Sequence, residues 1–194
     1  KLVFPKYDTQ ILNTEQLSHL PSYFALDFGY VNDPSAFMHI KIDSKNKKLY
    51  IIEEYVKTGM LNDEIAKTIK QLGYKKEEIT ADSAEQKSIA ELKKLGIERV
   101  RPTKKGKGSI VQGIQFLQQF DIIVDERCYK TIEELNNYTW KKDKQTDEYY
   151  NEPVDTYNHC IDALRYSVER FYNVKPERKS KAAKNVQAIK RMGL

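Results

Sequence analysis

Three aspartates that lie far apart in the sequence are the residues best suited to chemistry. Asp27 ends an apolar run, Asp82 follows Ile-Thr-Ala, and Asp162 lies in a long amphipathic segment. If the fold brings their side chains together, divalent cations are needed to balance the repulsion between the carboxylates. Carboxylate oxygens are ligands that Mg²⁺ and Mn²⁺ prefer. The three aspartates therefore predict a site for such ions.

Two such ions about 4 Å apart provide an activated water, in-line geometry and charge neutralisation for phosphodiester hydrolysis. In this hypothesis Asp27 bridges the two ions, while Asp82 binds one and Asp162 the other. Asp82 is equally well explained as the N-cap of the helix that follows it. Asp27 differs, because an acidic side chain in an apolar strand is costly to bury without a partner.

Other polar residues accompany the three aspartates. His159 and Asp162 are three residues apart on a predicted helix and share a face, which Asp155 joins four residues before His159. We interpret His159 as an accessory catalytic group that orients a ligand, contacts phosphate or moves a proton, with metal ligation less favoured. Asp155 is better explained as the N-cap of that helix. Asp33, in an Asn-Asp-Pro turn, is a secondary candidate for the metal site.

The elements that must position these residues change character along the chain. Three β-like runs separated by turn signals come first and predict an antiparallel meander. Helix and strand patterns then alternate, which is typical of parallel strands joined by crossover helices. The predicted strands span residues 23–28, 36–42, 49–56, 79–81, 97–101 and 122–124. The predicted helices span residues 62–72, 83–95, 109–119, 129–137 and 155–172, with a hairpin around residues 143–146.

This order of elements predicts an α/β fold with a mixed sheet flanked by helices. It resembles the ribonuclease H-like arrangement, in which the first strand, a later strand end and the last helix each present a carboxylate. Asp27, Asp82 and Asp162 occupy those three places.

Lysines provide candidate contacts to an anionic substrate such as DNA, namely Lys104, Lys105, Lys107, Lys141 and Lys142. The first three lie with two glycines in a loop that ends at a predicted helix N-terminus, a combination suited to gripping phosphate. The last two lie on the predicted hairpin, where a merely solvated surface is an equally good explanation.

Length and charge suggest three segments. The chain has 194 residues and a formal net charge of +5, which fits one domain. Residues 174–194 hold seven Lys or Arg and one Glu, so this tail is basic and suits DNA or an acidic partner. We predict a leader or interdomain connection over residues 1–20, the main domain over residues 21–173 and a basic tail over residues 174–194.

Composition argues against several other classes of protein. No apolar run approaches the roughly 18 residues of a membrane span, so no membrane partner is predicted. Cys128 and Cys160 show neither zinc-site spacing nor the density of a disulfide scaffold. Reduced thiols in a cytoplasm are expected.

Four separated strings of residues resemble a known family in order and approximate spacing. They cover residues 26–30 with 32–34, 81–84, 107–110 with 113–114, and 157–166. Together they resemble the C-terminal nuclease domain of the large terminase subunit of tailed bacteriophages, over about residues 23–171.

The resemblance implies a metal-dependent endonuclease that cuts concatemeric viral DNA at the start and end of packaging into a procapsid. It implies that Asp27, Asp82 and Asp162 hold two Mg²⁺ or Mn²⁺ ions, with Asp33 and His159 as accessory groups. The implied substrate is double-stranded DNA, the implied partners are the portal protein and the small terminase subunit, and the implied place is the host cytoplasm at the procapsid portal. The packaging ATPase motif of such subunits is absent from the sequence, so we expect an isolated nuclease domain.

Two other functions fit the same residues. One is another ribonuclease H-like nuclease, of the resolvase or transposase type, which would differ in its preference for branched DNA or in joining strands. The other is a non-catalytic DNA-binding or docking module that engages a portal or small subunit. Such a module would bind DNA equally well after loss of Asp27 or Asp162.

Overall fold

A seven-stranded mixed sheet lies at the centre of the computed structural model, which describes residues 1–29, 31–104 and 106–172. Its strands are β1 (Asp8–Gln10), β2 (Ser22–Asp27), β3 (Pro34–Asp43), β4 (Lys48–Thr58), β5 (Ile79–Ala81), β6 (Val100–Pro102) and β7 (Asp121–Asp125). The helices are α1 (Asn62–Gln71), α2 (Gln86–Lys94), α3 (Ser109–Leu117), α4 (Tyr129–Asn137) and α5 (His159–Tyr172). A separate hairpin pairs β8 (Trp140–Lys142) with β9 (Tyr149–Pro153).

The strand order across the sheet is β1-β7-β4-β3-β2-β5-β6. Strands β2, β3 and β4 form an antiparallel meander, and the other neighbouring pairs are parallel. The predicted mixed sheet is thus confirmed. In the described part of the chain, no helix has both the length and the apolar composition needed to cross a membrane.

Each face of the sheet buries its own apolar cluster. Along β2, Phe24 and Leu26 belong to one cluster, whereas Ala25 belongs to the other. This division follows from the alternation of side chains along a strand. The Ala25 cluster includes residues of α5, and Asp27, two residues beyond Ala25, lies on the same face. Strand periodicity therefore directs Asp27 towards the last helix.

The first twenty residues pack on the domain. Strand β1 pairs in parallel with β7 at the sheet edge, and the Val3 and Phe4 side chains are buried in the Ala25 cluster. The structure therefore does not show residues 1–20 as a leader separate from the domain. Their role as an interdomain connection stays a prediction. The basic tail, residues 174–194, lies outside the described residues.

The predicted starts of α2 and β6 were wrong for local reasons. The Ile97 N–H donates to the Leu92 carbonyl, so Ile97 closes the end of α2 and β6 begins only at Val100. The Glu85 N–H donates to the Asp82 carbonyl, which makes residues 82–85 a turn. Helix α2 therefore starts at Gln86 rather than at residue 83.

A buried histidine on β3 gives the fold a pH dependence. His39 Nε2 lies 2.8 Å from Ser22 Oγ, and His39 Nδ1 lies 3.1 Å from Tyr74 Oη. Burial lowers the pKa of His39 from 6.5 to about 4, and Lys41 contributes in the same direction. Between these pH values the unfolded chain binds a proton that the folded chain does not. The contribution of His39 to stability is therefore complete above pH 6.5 and is lost as the pH falls.

We expect the wild type to lose about 2 kcal/mol of unfolding free energy between pH 7 and pH 5 through His39. The His39→Gln variant should lack this part of the loss. Urea unfolding at both pH values measures the difference, with His19→Gln as control because His19 is exposed. An equal loss in wild type and His39→Gln would contradict the assignment.

Candidate active site

Two of the three aspartates leave neighbouring strands side by side. Strands β2 and β5 are parallel, and Leu26 is the register partner of Ala81. Asp27 and Asp82 each come one residue later, and the Asp82 N–H donates to the Leu26 carbonyl at 3.3 Å. Adjacent strands lie about 4.8 Å apart, so the sheet itself places these two carboxylates near each other.

Helix α5 presents the third aspartate and the histidine. The helix packs against β2 and β3 and begins at His159. The Ile161 N–H donates to the buried Glu134 carboxylate at 3.0 Å, and the Asp162 N–H donates to the Asn158 carbonyl. The first bond satisfies a backbone donor that a helix N-terminus leaves unpaired, and the second is the first hydrogen bond within the helix.

The predicted helix start at Asp155 was wrong. Asp155 precedes α5 and pairs with Lys141, with Oδ2 and Nζ 3.2 Å apart, so it neither caps the helix nor shares a face with His159. The N-cap interpretation of Asp82 also fails, because α2 begins at Gln86. Instead, Asp82 Oδ1 accepts a hydrogen bond from the Ala84 N–H within the turn that precedes the helix.

All three aspartates line one cavity of about 290 Å³. Its wall combines carboxylates, cations and hydroxyl groups from the ends of β2, β5 and β6, the start of α3 and one face of α5. The lining residues are Asp27, Asp82, Thr103, Lys104, Gly106, Ser109, Ile110, Asp162, Arg165, Tyr166, Glu169 and Tyr172. The convergence of the three aspartates, expected from the sequence, is thus present.

His159 links two of the predicted acids. Its Nδ1 lies 3.3 Å from Asp27 Oδ2, and its Nε2 lies 3.6 Å from Asp33 Oδ1. The Asp33 side chain is 72% exposed and lines a different cavity, beside Gly29 and Glu85. Among the described residues, His159 links Asp33 to the three aspartates, and the role of Asp33 at the metal site stays a prediction.

Burial makes the Asp27 carboxylate unusually costly to ionise. Asp27 is 6% exposed, and burial is the main reason why its pKa rises to about 6. The hydrogen bond from His159 partly offsets this rise, while Asp162 and Asp82 add to it by repulsion. In turn, the bond to Asp27 raises the pKa of His159. The site therefore concentrates negative charge that a cation would relieve.

Asp162 is held by an arginine from its own helix. Arg165 Nη2 and Nε donate to Asp162 Oδ1 at 2.7 and 3.2 Å. Burial alone would lower the pKa of Arg165, but the nearby Asp162 carboxylate outweighs it and keeps the pKa above its ordinary value. The guanidinium group therefore remains charged against Asp162.

The donor set fits a hard divalent cation, because three carboxylates converge on a polar cavity. Among the described residues, however, no three His, Cys, Asp or Glu side chains are already grouped as a metal site. Asp162 faces Arg165 and Asp27 faces His159, so two of the three carboxylates are hydrogen-bonded to basic side chains.

The predicted DNA-contacting lysines differ in their surroundings. Lys104 and Lys107 are exposed in the loop before α3, and Lys104 lines the cavity. Lys105 lies outside the described residues. On the hairpin, Lys141 pairs with Glu152 and Asp155. Lys142 pairs with Asp147, with Nζ and Oδ1 2.5 Å apart.

The hairpin lysines therefore lie beside neighbouring carboxylates of the hairpin region, whereas Lys104 and Gly106 line the cavity that contains the three aspartates. Of the two groups of lysines predicted to contact DNA, the group before α3 is therefore better placed to hold a phosphate at the cavity.

Several lining residues were missed from the sequence. Arg165, Tyr166 and Glu169 follow Asp162 at three, four and seven residues, so helical spacing alone could have placed them on its face. Thr103 carries no such signal, because only the pairing of β5 with β6 brings it beside Asp82.

Comparison with known proteins agrees with this geometry. A sequence model of the family described as "Terminase RNAseH like domain" matches residues 27–170, which include all three aspartates. The chain belongs to this terminase family. The terminase domain is 36% identical over 152 residues to a "Terminase, large subunit" of Bacillus phage SPP1, covering 75% of this chain and 35% of that relative. It is 31% identical over 151 residues to a "PBSX phage terminase large subunit" of Bacillus subtilis (strain 168), covering 75% of this chain and 34% of that relative. The terminase domain thus spans about a third of the length of these curated relatives.

Solved structures confirm the ribonuclease H-like fold of the terminase domain. The g2p (large terminase) nuclease domain from bacteriophage SPP1 with bound Mn superposes with a TM-score of 0.81 at 30% identity, covering 88% of this chain and 99% of that one. The P22 large terminase nuclease domain gives a TM-score of 0.65 at 15% identity, covering 88% of this chain and 92% of that one. It supports the fold alone.

Proposed function

We propose that this terminase domain is a metal-dependent endonuclease that hydrolyses phosphodiester bonds of double-stranded DNA. The observation that carries the proposal is the convergence of Asp27, Asp82 and Asp162 on one cavity, with a buried Asp27 whose pKa is raised to about 6. The burial of Asp27 and the repulsion among the three carboxylates make the cavity well suited to Mg²⁺ or Mn²⁺. The Mn bound to the SPP1 nuclease domain supports the same choice of ion.

In this mechanism Asp27, Asp82 and Asp162 would hold two divalent ions. When bound, the ions activate water and neutralise charge on the scissile phosphate. Asp27 is kept in place by the bond from His159, and Asp162 by the bonds from Arg165.

The DNA backbone would approach from the loop before α3. Lys104 and Lys107 supply positive charge there, and the N-terminus of α3, which has no side-chain cap, favours an anionic group. Phosphate held at this loop lies against the cavity that contains the carboxylates.

We further propose that the domain acts within a large terminase subunit. There it would cut concatemeric viral DNA during genome packaging, together with a portal protein and a small terminase subunit. This activity would take place in the host cytoplasm at the procapsid portal. The curated relatives are described as large terminase subunits, which supports this setting.

Cleavage of supercoiled plasmid tests the proposal. We expect nicking and linearisation with Mg²⁺ or Mn²⁺, none with EDTA, and none with the Asp162→Asn variant. Asp63→Asn is the matched control, because Asp63 is exposed on α1. A folded wild type that cuts with neither metal, or an Asp162→Asn variant that cuts equally well, would favour the docking-module alternative.

The two groups of lysines should differ in DNA binding. Lys107→Ala should reduce the slope of log affinity against log salt concentration by about 1, because one phosphate contact is lost. Lys142→Ala should leave the slope unchanged, since Asp147 already balances that charge. Fluorescence anisotropy with a DNA duplex over a series of salt concentrations measures both. Equal slopes for the two variants would show that the distinction is wrong.

A further inference from the structure

The turn that carries Asp82 is held from the next strand by Thr103. The Thr103 N–H donates to the carbonyl of Ala81 at 2.8 Å. The Thr103 hydroxyl Oγ1 accepts a hydrogen bond from the Ser83 N–H at 3.0 Å. Thr103 therefore bonds to the residue before Asp82 and to the residue after it, and it is itself buried beside the cavity.

Helix α5 fixes the chain immediately after Thr103. The buried Glu169 carboxylate accepts the Lys104 N–H through Oε2 at 2.8 Å and an Arg101 Nη1 donor through Oε1 at 3.0 Å. Glu169 lies seven residues after Asp162, two turns further along the same helix face. A continuous set of hydrogen bonds thus connects the helix of Asp162 to the turn of Asp82.

We propose that Thr103 is a positioning residue for Asp82, with Glu169 fixing Thr103 relative to α5. The inference rests on the proposed metal-dependent function, since it concerns how the Asp82 carboxylate is presented to an ion. The Thr103 hydroxyl fixes the Ser83 amide, which limits rotation of the peptide that follows Asp82. Without it, the turn loses the side-chain hydrogen bond that holds it to the end of β6, and the Asp82 carboxylate is less well oriented.

The sequence offers matched variants for a test. Thr103→Val keeps the shape of the side chain and removes the hydroxyl, whereas Thr103→Ser keeps the hydroxyl. Thr80→Val is the control, because Thr80 is buried on β5 two residues before Asp82 and its hydroxyl has no hydrogen-bond partner among the described residues. Mn²⁺ affinity, exchange of the Ser83 amide and the kinetics of plasmid cleavage are measured for each variant of the 194-residue chain.

We expect Thr103→Val to weaken Mn²⁺ binding by about tenfold or more, the usual loss when a group that orients a metal ligand is removed. Exchange of the Ser83 amide should accelerate, and kcat should fall while KM for DNA stays nearly constant. Thr103→Ser should restore all three properties, and Thr80→Val should match the wild type.

The proposal is overturned if Thr103→Val binds Mn²⁺ as tightly as the wild type, or if Thr80→Val weakens binding equally. A wild type that binds Mn²⁺ but does not cut DNA would instead refute the proposed nuclease. In that case the Mn²⁺ affinities of the variants still decide the role of Thr103.

Discussion

The Asp27→Asn variant should lose DNA cleavage by at least about 10³-fold, because an amide nitrogen replaces one carboxylate oxygen of the central ligand and the negative charge is lost. Asparagine preserves the size of the side chain and can still accept a hydrogen bond from His159. The loss should therefore appear in kcat of a folded protein rather than in its yield or solubility. Plasmid cleavage under single-turnover conditions with Mn²⁺ measures the effect.

The same substitution should make the metal-free fold more stable. The pKa of Asp27 rises from 3.8 unfolded to about 6 folded, so ionisation of Asp27 destabilises the fold progressively as the pH rises through this window. Above pH 6 the cost is at most about 3 kcal/mol. Urea unfolding should show Asp27→Asn to be more stable than the wild type at pH 8 and similar at pH 4.

Asp63→Asn, at an exposed position, controls for loss of one negative charge in both assays. A variant Asp27→Asn that cuts DNA within tenfold of the wild type would remove Asp27 from the catalytic site. A variant that is less stable than the wild type at pH 8 would mean that the buried carboxylate is compensated in the folded protein.

Mn²⁺ should raise the melting temperature of the wild type by about 5–10 °C. A ligand at a hundred times its Kd adds about 2.7 kcal/mol of stability, and each kcal/mol corresponds to about 2–4 °C for a protein of this size. The effect is large here because the ion relieves repulsion among the three aspartates. Differential scanning calorimetry with Mn²⁺, with Mg²⁺ and after removal of metal by EDTA measures it.

The double variant Asp82→Asn/Asp162→Asn should show almost no response to Mn²⁺, although it should melt cooperatively. In the metal-free protein Arg165 bonds to Asp162, so it competes with the ion for that carboxylate. If the double variant responds to Mn²⁺ as strongly as the wild type, the stabilising ion binds at another site.

Sequence reasoning succeeded where one local pattern determines the position of a residue. An acidic residue within an apolar strand has few explanations, so Asp27 was predicted as a site residue of the first strand, and the structure makes it the last residue of β2. Asp82 was predicted directly after a later strand, and it follows β5. Strand β5 was predicted with the bounds that the structure shows, Ile79–Ala81. The i, i+3 relation of His159 and Asp162 required only that the segment be helical.

Sequence reasoning failed where distant segments decide the structure. Asp155 has the residue type and position of an N-cap, but Lys141 from β8 pairs with it outside the helix. Val3 and Phe4 precede a weakly patterned stretch, yet they fill the core beneath α3 and α4. The neighbours of Thr103 could not be inferred, because its hydroxyl bonds to Ser83, twenty residues earlier in the chain.

The pairing of Leu26 with Ala81 constrains which insertions and deletions this domain can accept. Removing one residue from β2 would turn its remaining side chains to the opposite face of the sheet, and the carboxylate at its end would leave the cavity. Strand β5 has three residues, all buried, and leaves no position for an added one. Length variation among homologues should therefore be confined to surface turns such as residues 44–47 and 143–148, with the spacing from each strand to its aspartate unchanged.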